Sequence, residues 1–208
     1  MSRATTTTPT DSRWNHNIHY HPLVLDALPA GCGRVLDVGC GEGVLTRELS
    51  RRAEQVVGID LDEPSLARAR EQAAGDNVDY VLGDFLTWGK GEAPFDAVVS
   101  VAAVHHMGTA AALTHMAELL RPGGRLAVVG LARSSFPRDL PWDVAGAVAT
   151  RLHKLTKRYW ETTAPKLWPP PETYAESRRL AADSLPGSRF SRHVLWRYSI
   201  TWTKPTDA

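Results

Sequence analysis

Cysteine is scarce in this sequence: Cys32 and Cys40 are the only two among its 208 residues. A small protein held together by disulfides needs more cysteines, spread along the chain. A disulfide framework is therefore excluded, and a reducing cytoplasm is the expected location. Cys40 is better explained as a small buried side chain than as a reactive thiol.

Long hydrophobic runs are also missing. No segment approaches the roughly 20 apolar residues that a membrane helix needs. The Thr-rich residues 1–13 contain no apolar stretch typical of a signal peptide. We therefore expect no membrane association, a disordered tail over residues 1–13 and one domain over residues 14–208.

Excess charge of one sign is absent from the chain as a whole, because the net charge is only +1. The charge is nevertheless uneven, since residues 151–208 carry 11 Lys and Arg against 5 Asp and Glu. In the most basic stretch, helical spacing places three basic residues on one face and three apolar residues on another: Arg151, Lys154 and Arg158 against Leu152, Leu155 and Tyr159. This pattern favours a solvated helix face over a nucleic-acid site.

What the sequence does contain is an alternation of apolar runs with helical patterns. The predicted strands are 34–38, 55–60, 78–84, 95–101 and 125–131, and the predicted helices are 22–28, 44–52, 64–73, 109–121 and 172–183. Two more strand-like runs, 188–195 and 197–204, form either a hairpin near Trp196 or one bent strand. Such alternation is typical of an α/β fold, here a doubly wound and mostly parallel seven-stranded sheet with an antiparallel C-terminal strand. We expect a core over 33–133, a helical insert over 134–185 and the final strands over 188–204.

A glycine-rich turn follows the first of these strands. Residues 35–44 read VLDVGCGEGV, and glycines at this place let a nucleotide approach the backbone closely. Asp60, 21 residues after Gly39, suits the two hydroxyls of a ribose. A dinucleotide fingerprint would place glycine or alanine where Val44 stands, and Asp37 would repel a pyrophosphate. The acids Asp37, Asp60 and Asp84 at strand ends favour a ligand with positive charge and ribose hydroxyls.

At these residues the sequence resembles the class I S-adenosylmethionine-dependent methyltransferases, of the Rossmann-like, small-molecule type. The similar segments are VLDVGCGEG, VVGIDLDEPSLARAR, LGDF, FDAVVSVAAVHHM and LLRPGGRLAVVG, which follow one another within residues 33–133. The resemblance implies S-adenosylmethionine as cofactor and S-adenosylhomocysteine as product.

The resemblance also assigns roles to individual residues. Gly39 and Gly41 would face the methionine portion, and Asp37 would approach its amino group. Asp60 would take the ribose hydroxyls. The remaining cofactor contacts would be Leu61 and Phe85 beside the adenine, Asp84 at its amino group, and the backbone of Ser100 and Val101 at the methionine amino group.

Two histidines, His105 and His106, follow the strand 95–101 at its carboxyl end. Histidine titrates near neutral pH, so either can serve as a general base for methyl transfer, and His105 is slightly favoured. The same pair can instead shape the loop or bond a backbone carbonyl.

Aromatic residues form two further groups. The segment around His16, His19, Tyr20 and His21 has no carboxylate or cysteine at helical spacing, so no metal site is predicted. A lid over the cofactor, with Trp14 and Tyr20 as apolar contacts, competes there with plain packing on the core. The insert carries aromatic residues that either enclose an apolar substrate or anchor a helical layer: Trp142, Tyr159, Trp160, Trp168 and Tyr174.

The sequence therefore predicts a monomeric or homodimeric enzyme that methylates an oxygen or nitrogen of a small, apolar or aromatic molecule. Three other functions compete with this one. An NAD(P)-dependent reductase is opposed by Val44 and Asp37. A nucleic-acid methyltransferase is opposed by Ser100-Val101-Ala102-Ala103, where exocyclic-amine methylases of bases carry Asn/Asp-Pro-Pro-aromatic. A cofactor-binding protein without methyl transfer, a partner or a cyclase, stays open because binding and turnover are separate properties.

Overall fold

The chain folds into helices and strands that alternate along the sequence. The structure is a computed structural model that describes residues 13–72, 75–160 and 167–206, so the predicted tail lies outside the described residues except for Arg13. In chain order the elements are β1 (Arg13–Trp14), a 3-10 helix (Ile18–Tyr20), α1 (His21–Asp26), β2 (Cys32–Val38), α2 (Val44–Leu49), β3 (Ala53–Asp60), α3 (Glu63–Glu71), β4 (Val78–Leu82), β5 (Phe95–Val101), α4 (Val104–Met107), α5 (Thr109–Leu119), β6 (Leu120–Leu131), α6 (Leu140–Thr156), β7 (Arg158–Tyr159), α7 (Tyr174–Ser184), β8 (Arg189–His193) and β9 (Arg197–Thr203).

Seven of these strands form one sheet, in the order β4-β3-β2-β5-β6-β9-β8. The first five are parallel, and β9 runs antiparallel to both of its neighbours, β6 and β8. The predicted fold class, a mostly parallel seven-stranded sheet with an antiparallel C-terminal strand, is confirmed. The last two strands form the hairpin alternative, since Leu195 and Trp196 adopt left-handed backbone angles in the turn between them.

The central strands are buried on both faces, as expected for parallel strands between helical layers. On one face, Leu36 and Val98 belong to a core with Leu113 of α5. On the other, Val35 packs in a core with Leu49 of α2. This burial holds the carboxyl ends of β2, β3 and β5 at one edge of the sheet, where ligands bind in open α/β folds.

The insert differs in detail from the sequence prediction. Helix α6 ends at Thr156, so Arg158 and Tyr159 lie in β7 and not on the predicted helix faces. Strand β7 pairs in parallel with β1, which ties the N-terminal segment to the insert. Within the described residues, no helix is long and apolar enough to span a membrane.

Candidate active site

A cavity of about 1200 Å³ opens at the carboxyl edge of the sheet. Its floor is formed by the ends of β2, β3, β5 and β6 and by residues 83–85 after β4. Its other walls come from residues 15–18 at the N-terminal side, from the insert and from the start of β9. The cavity thus joins the predicted nucleotide end to the aromatic residues of the insert.

The glycine turn after β2 depends on left-handed backbone angles. Gly39 has φ +72°, and a Cβ there would lie 2.2 Å from the Cβ of Ala103, so only glycine lets the turn pack against the start of α4. Gly41 has φ +53°, and a Cβ there would meet no atom within 4 Å. Because Gly41 lines the cavity, its missing side chain leaves open space where a ligand can approach the backbone.

Asp60 ends β3 with its carboxylate held by two backbone amides. The Gly41 N–H donates to Oδ2 at 2.7 Å, and the Asp62 N–H donates to Oδ1 at 2.9 Å. Each carboxylate oxygen accepts more than one hydrogen bond, so both keep acceptor capacity toward the cavity that Asp60 lines. The acid is therefore fixed in position and able to accept from a pair of hydroxyls.

Asp37 is buried beneath the glycine turn and also lines the cavity. The hydroxyl of Thr46 donates to its Oδ2 at 2.7 Å. Burial raises the pKa of Asp37 to about 6, although the bond from Thr46 acts in the opposite direction. A cation brought close to this carboxylate would favour its ionised form.

Three other predicted cofactor contacts lie together at the β3–β4 end of the cavity. Leu61 is 68% exposed and lines the cavity. Phe85 is buried and packs its ring 4.8 Å from that of His115. Asp84 accepts the Leu86 N–H at 3.0 Å and is otherwise exposed at the cavity. The arrangement offers an apolar surface with a carboxylate beside it.

Of the two β5 residues predicted to offer backbone oxygen to the amino group, Ser100 is buried and is not among the residues that line the cavity. Its hydroxyl donates to the Val38 carbonyl at 2.8 Å and joins β5 to β2. The backbone role of both residues stays a prediction. Val101 does line the cavity. The next residue, Ala102, has φ +59°, a conformation that costs energy for a residue with a Cβ. Its N–H donates to the Val129 carbonyl at 2.7 Å, which holds it there.

Both candidate bases line the cavity, in contrasting environments. His105 is 5% exposed, and its Nδ1 is buried with no hydrogen-bond partner among the described residues. His106 is exposed, and the two rings lie 4.2 Å apart. Burial lowers the pKa of His105 to about 4, and burial also lowers the pKa of His106. Both rings are therefore neutral at neutral pH, and His105 has a free nitrogen.

Residues of the predicted lid are divided between the cavity and the core. Trp14 and Tyr20 are buried in the core cluster on the α1–α2 face, and neither they nor His19 line the cavity. Their neighbours line it instead: Asn15, His16, Asn17 and Ile18. The lid role of Trp14, His19 and Tyr20 stays a prediction.

The aromatic residues of the insert are divided in the same way. Trp160 and Trp168 line the cavity together with Tyr159. Trp142 does not, because its ring faces the guanidinium of Arg192 at 4.9 Å. The wall thus offers a partly apolar surface made by aromatic side chains.

Arg197, at the start of β9, is a cavity residue that the sequence analysis missed. It is 7% exposed and donates to Asn17 from 180 positions away in the chain. An isolated arginine in a predicted strand gives no signal of burial, since only the approach of the N-terminal segment covers it.

Comparison with known proteins agrees with this geometry. A family model described as a methyltransferase domain matches residues 35–124. An uncharacterized methyltransferase of Mycobacterium bovis is 40% identical over 196 residues, which is 94% of this chain and 99% of that protein. A ubiquinone biosynthesis O-methyltransferase of Xylella fastidiosa is 36% identical over 156 residues, covering 70% of this chain and 62% of its own length.

A solved structure shows the same fold. The N-methyltransferase NodS from Bradyrhizobium japonicum, in complex with S-adenosyl-L-homocysteine, has a TM-score of 0.59 at 15% identity, covering 90% of this chain and 87% of NodS. The chain therefore belongs to the class I S-adenosylmethionine-dependent methyltransferases, enzymes of Rossmann-like fold that use S-adenosylmethionine as methyl donor.

The described residues fit that cofactor. Gly41 leaves open space beside the backbone, and the fixed carboxylate of Asp60 has free acceptor capacity for hydroxyls. In the same described ranges, no group of three or more His, Cys, Asp or Glu is placed to hold a metal ion.

Proposed function

We propose that this enzyme transfers the methyl group of S-adenosylmethionine to an oxygen or nitrogen of a small, apolar or aromatic molecule. The observation that carries the proposal is the continuity of one cavity, which runs from the glycine turn and the acidic strand ends to the aromatic wall of the insert. A cavity of this size can hold a cofactor and a small acceptor side by side.

The cofactor end is assigned to the residues at the ends of β2, β3 and β4. Asp60 would accept the two ribose hydroxyls, and Asp37 would face the amino group. Leu61, Phe85 and Asp84 would surround the adenine with two apolar surfaces and one acceptor. The fixed orientation of Asp60 supports this assignment, because the two amides leave it aimed at the cavity before any ligand arrives.

When bound, the cofactor supplies a methyl group on a sulfonium, which reacts by in-line displacement. Alignment is the main contribution of the protein, and effective molarities for well-oriented reactants reach on the order of 10⁵ M or more. The cavity walls would provide that alignment. A general base adds about 10²- to 10⁴-fold where the acceptor must lose a proton.

His105 is the better placed of the two histidines for that role. Its ring lines the cavity and would take the proton of an acceptor hydroxyl or amine on a ring nitrogen, which requires a change of ring orientation if that nitrogen is the buried, unpartnered Nδ1. His106 is exposed and packs on the His105 ring, which suits it to positioning its neighbour. The lowered pKa of His105 keeps the accepting form populated at neutral pH, at the expense of basicity.

A cytoplasmic location and a small acceptor, not a nucleic acid, are part of the proposal. Cys32 and Cys40 are both free and buried, which supports a reducing compartment. The departure of residues 100–103 from the pattern of exocyclic-amine methylases supports a small-molecule acceptor. Binding to DNA or RNA that weakens steeply with salt would contradict this part.

The test begins with calorimetric titration of the purified protein with S-adenosylhomocysteine, S-adenosylmethionine, NADH and NADPH. We expect micromolar binding of the first two ligands and none of the nicotinamide cofactors. Transfer of labelled methyl from S-adenosylmethionine is then measured on a panel of small phenols, amines and carboxylic acids. The absence of S-adenosylhomocysteine binding would overturn the proposal.

A further inference from the structure

Arg197 carries a buried positive charge with no carboxylate to balance it. Among the described residues, no Asp or Glu oxygen lies within the 4.0 Å that defines an ion pair with its guanidinium. Its partners are neutral: Asn17 Oδ1, at 3.1 Å from Nε and 2.6 Å from Nη2, and the carbonyls of Leu195 and Trp196, at 3.1 and 3.2 Å from Nη1. Burying a charge without a partner of opposite charge is energetically costly.

One N–H group of the guanidinium makes no hydrogen bond to the described residues. Of its five N–H groups, one on Nε, two on Nη1 and one on Nη2 account for the four bonds, which leaves a second N–H on Nη2. Arg197 lines the cavity although it is only 7% exposed, so its charge lies next to any ligand bound there. The four bonds use the guanidinium fork to anchor Asn17 and the β8–β9 turn, and they leave its positive charge without a carboxylate partner among the described residues.

The position of Arg197 is at the opposite end of the cavity from the acidic strand ends. It pairs with Leu131 at the end of β6, and two strands, β5 and β6, separate β9 from β2. Neighbouring strands lie about 4.8 Å apart, which puts the start of β9 roughly 14 Å from the glycine turn. A second cavity arginine, Arg133, lies on the same side but is exposed.

One acid does face this end of the cavity, and it is already engaged. Asp143 accepts the Ser134 hydroxyl at 2.6 Å and the Trp196 indole N–H at 2.9 Å, both on Oδ1. It forms no ion pair with Arg197 in the described structure. The cofactor end of the cavity is therefore acidic, and the acceptor end has a buried cation beside the aromatic wall.

We propose that Arg197 binds a carboxylate on the acceptor, so that the substrates of this enzyme are small aromatic or apolar carboxylic acids. The inference rests on the proposed function and narrows its acceptor class. A carboxylate matches the guanidinium because it adds a charge-assisted hydrogen bond to the free Nη2 donor and neutralises the buried charge.

Such an anion would also affect the candidate base. Arg197 is one of the groups that lower the pKa of His105. Burial lowers the pKa of His105 most, followed by His106, so a carboxylate on Arg197 would offset only the smallest of the three causes.

The experiment compares 4-hydroxybenzoate with 4-hydroxybenzamide, which differ in charge but not in ring. Dissociation constants are measured by NMR titration with and without saturating S-adenosylhomocysteine, for the wild type, Arg197→Gln and Arg133→Gln. We expect the wild type to bind the acid about tenfold or more tightly than the amide, the range of a charged hydrogen bond. That preference should be lost in Arg197→Gln and largely kept in Arg133→Gln, the exposed cavity arginine.

Each alternative has its own result. Equal binding of acid and amide by the wild type, or no binding of either, overturns the proposal without reliance on any variant. If Arg197→Gln and Arg133→Gln lose the preference for the acid equally, that preference comes from the overall positive charge of this end of the cavity and not from Arg197 in particular.

The carboxylate of the cofactor's methionine portion is the other source of an anion. If Arg197→Gln weakens S-adenosylhomocysteine but not 5′-methylthioadenosine, which lacks the amino acid, Arg197 serves the cofactor and the acceptor assignment falls. Failure of the methyltransferase proposal itself would appear separately, as no binding of S-adenosylhomocysteine by the wild type.

Discussion

The Oδ2 atom of Asp60 accepts the backbone N–H of Gly41 at 2.7 Å, which joins the end of β3 to the turn after β2. The same carboxylate that we assign to the ribose hydroxyls therefore also fixes the glycine turn. In this assignment, one side chain couples cofactor binding to the geometry of the turn.

Replacement of Asp60 by alanine should weaken S-adenosylhomocysteine binding by about 1–3 kcal/mol, the value of hydrogen bonds to a charged group. The measurement is calorimetric titration. Asp79→Ala is the matched control, because Asp79 lies exposed on the adjoining strand β4 and bonds only Gln55 among the described residues. Unchanged affinity in Asp60→Ala would remove this residue from the cofactor site.

Gly41→Ala tests whether the open space beside the turn belongs to the cofactor. The new Cβ meets no protein atom within 4 Å but would project into the cavity, so we expect at least about tenfold weaker S-adenosylhomocysteine binding. Gly31→Ala is the control, because Gly31 has a similar φ of +64°, also has no atom within 4 Å and does not line the cavity. Both variants should lose about 1–2 kcal/mol of stability to left-handed strain. Equal cofactor affinity in the two would argue against the assignment.

His105→Gln should lower kcat by about 10²-fold or more while the affinity for S-adenosylhomocysteine stays within a factor of two, because only base catalysis is removed. Glutamine keeps a polar side chain of similar length in the buried site. The neighbouring His106→Gln serves as the control and should have a smaller effect. If His106→Gln has the larger effect on kcat, the roles of the two histidines are reversed.

Cofactor binding should release a proton near pH 6. Burial raises the pKa of Asp37 to about 6, so this carboxyl is partly protonated there. An ammonium group beside it favours the ionised form and expels the proton. The release should shrink as the pH rises to 7 and should be absent in Asp37→Asn. Calorimetry of S-adenosylhomocysteine binding in buffers of different ionisation enthalpy measures it, and a release that persists in Asp37→Asn would assign the proton to another group.

Thermal stability should fall as the pH drops from about 6.5 toward 4. Burial lowers the pKa of His16 and His105 to about 4 and also lowers those of His19 and His193, so the unfolded chain binds more protons in this range. The contribution of these four histidines to the free energy of unfolding is complete above pH 6.5. Asp37, whose pKa is raised by burial, has the opposite effect and stabilises the folded protein as the pH falls below about 6. It is one group against four histidines, so the net stability should still decrease.

The melting temperature measured from pH 7.5 to 5 checks this expectation. His16→Gln should reduce the slope, because glutamine can still bond Thr150, which lies 3.1 Å from the His16 ring, but does not titrate. A melting temperature independent of pH would contradict the neutral state assigned to His16, His19, His105 and His193.

The sheet could be predicted from the sequence because its central strands contain short apolar runs with turn residues on either side. FDAVVSV is apolar and bounded by turn residues, and β5 occupies the predicted range, Phe95–Val101. The glycine turn and the acids at the ends of β2 and β3 and after β4 could be predicted for the same reason, since each lies in or next to the strand that positions it.

Features that depend on long-range packing were not predictable in this way. The end of α6 at Thr156 coincides with the pairing of β7 with β1, and no residue near 156 signals that pairing. The short helix α4 lies between β5 and α5, where the sequence analysis placed only a loop. The burial of Arg197 likewise requires Asn17, which periodicity and spacing do not connect to it.

The pairing of β1 with β7 has a consequence for the order of folding. It consists of two residues on each strand and joins positions 13 and 158, with most of the sheet in the intervening chain. Closing so long a loop is entropically costly until the sheet has brought the two segments together, so this pair forms late and opens first. The Trp160 amide, which donates to the Trp14 carbonyl at 2.9 Å, should therefore exchange its hydrogen with solvent before the amides of β5 do. Opening of this pair would move the cavity residues Tyr159 and Trp160 without unfolding the seven-stranded sheet.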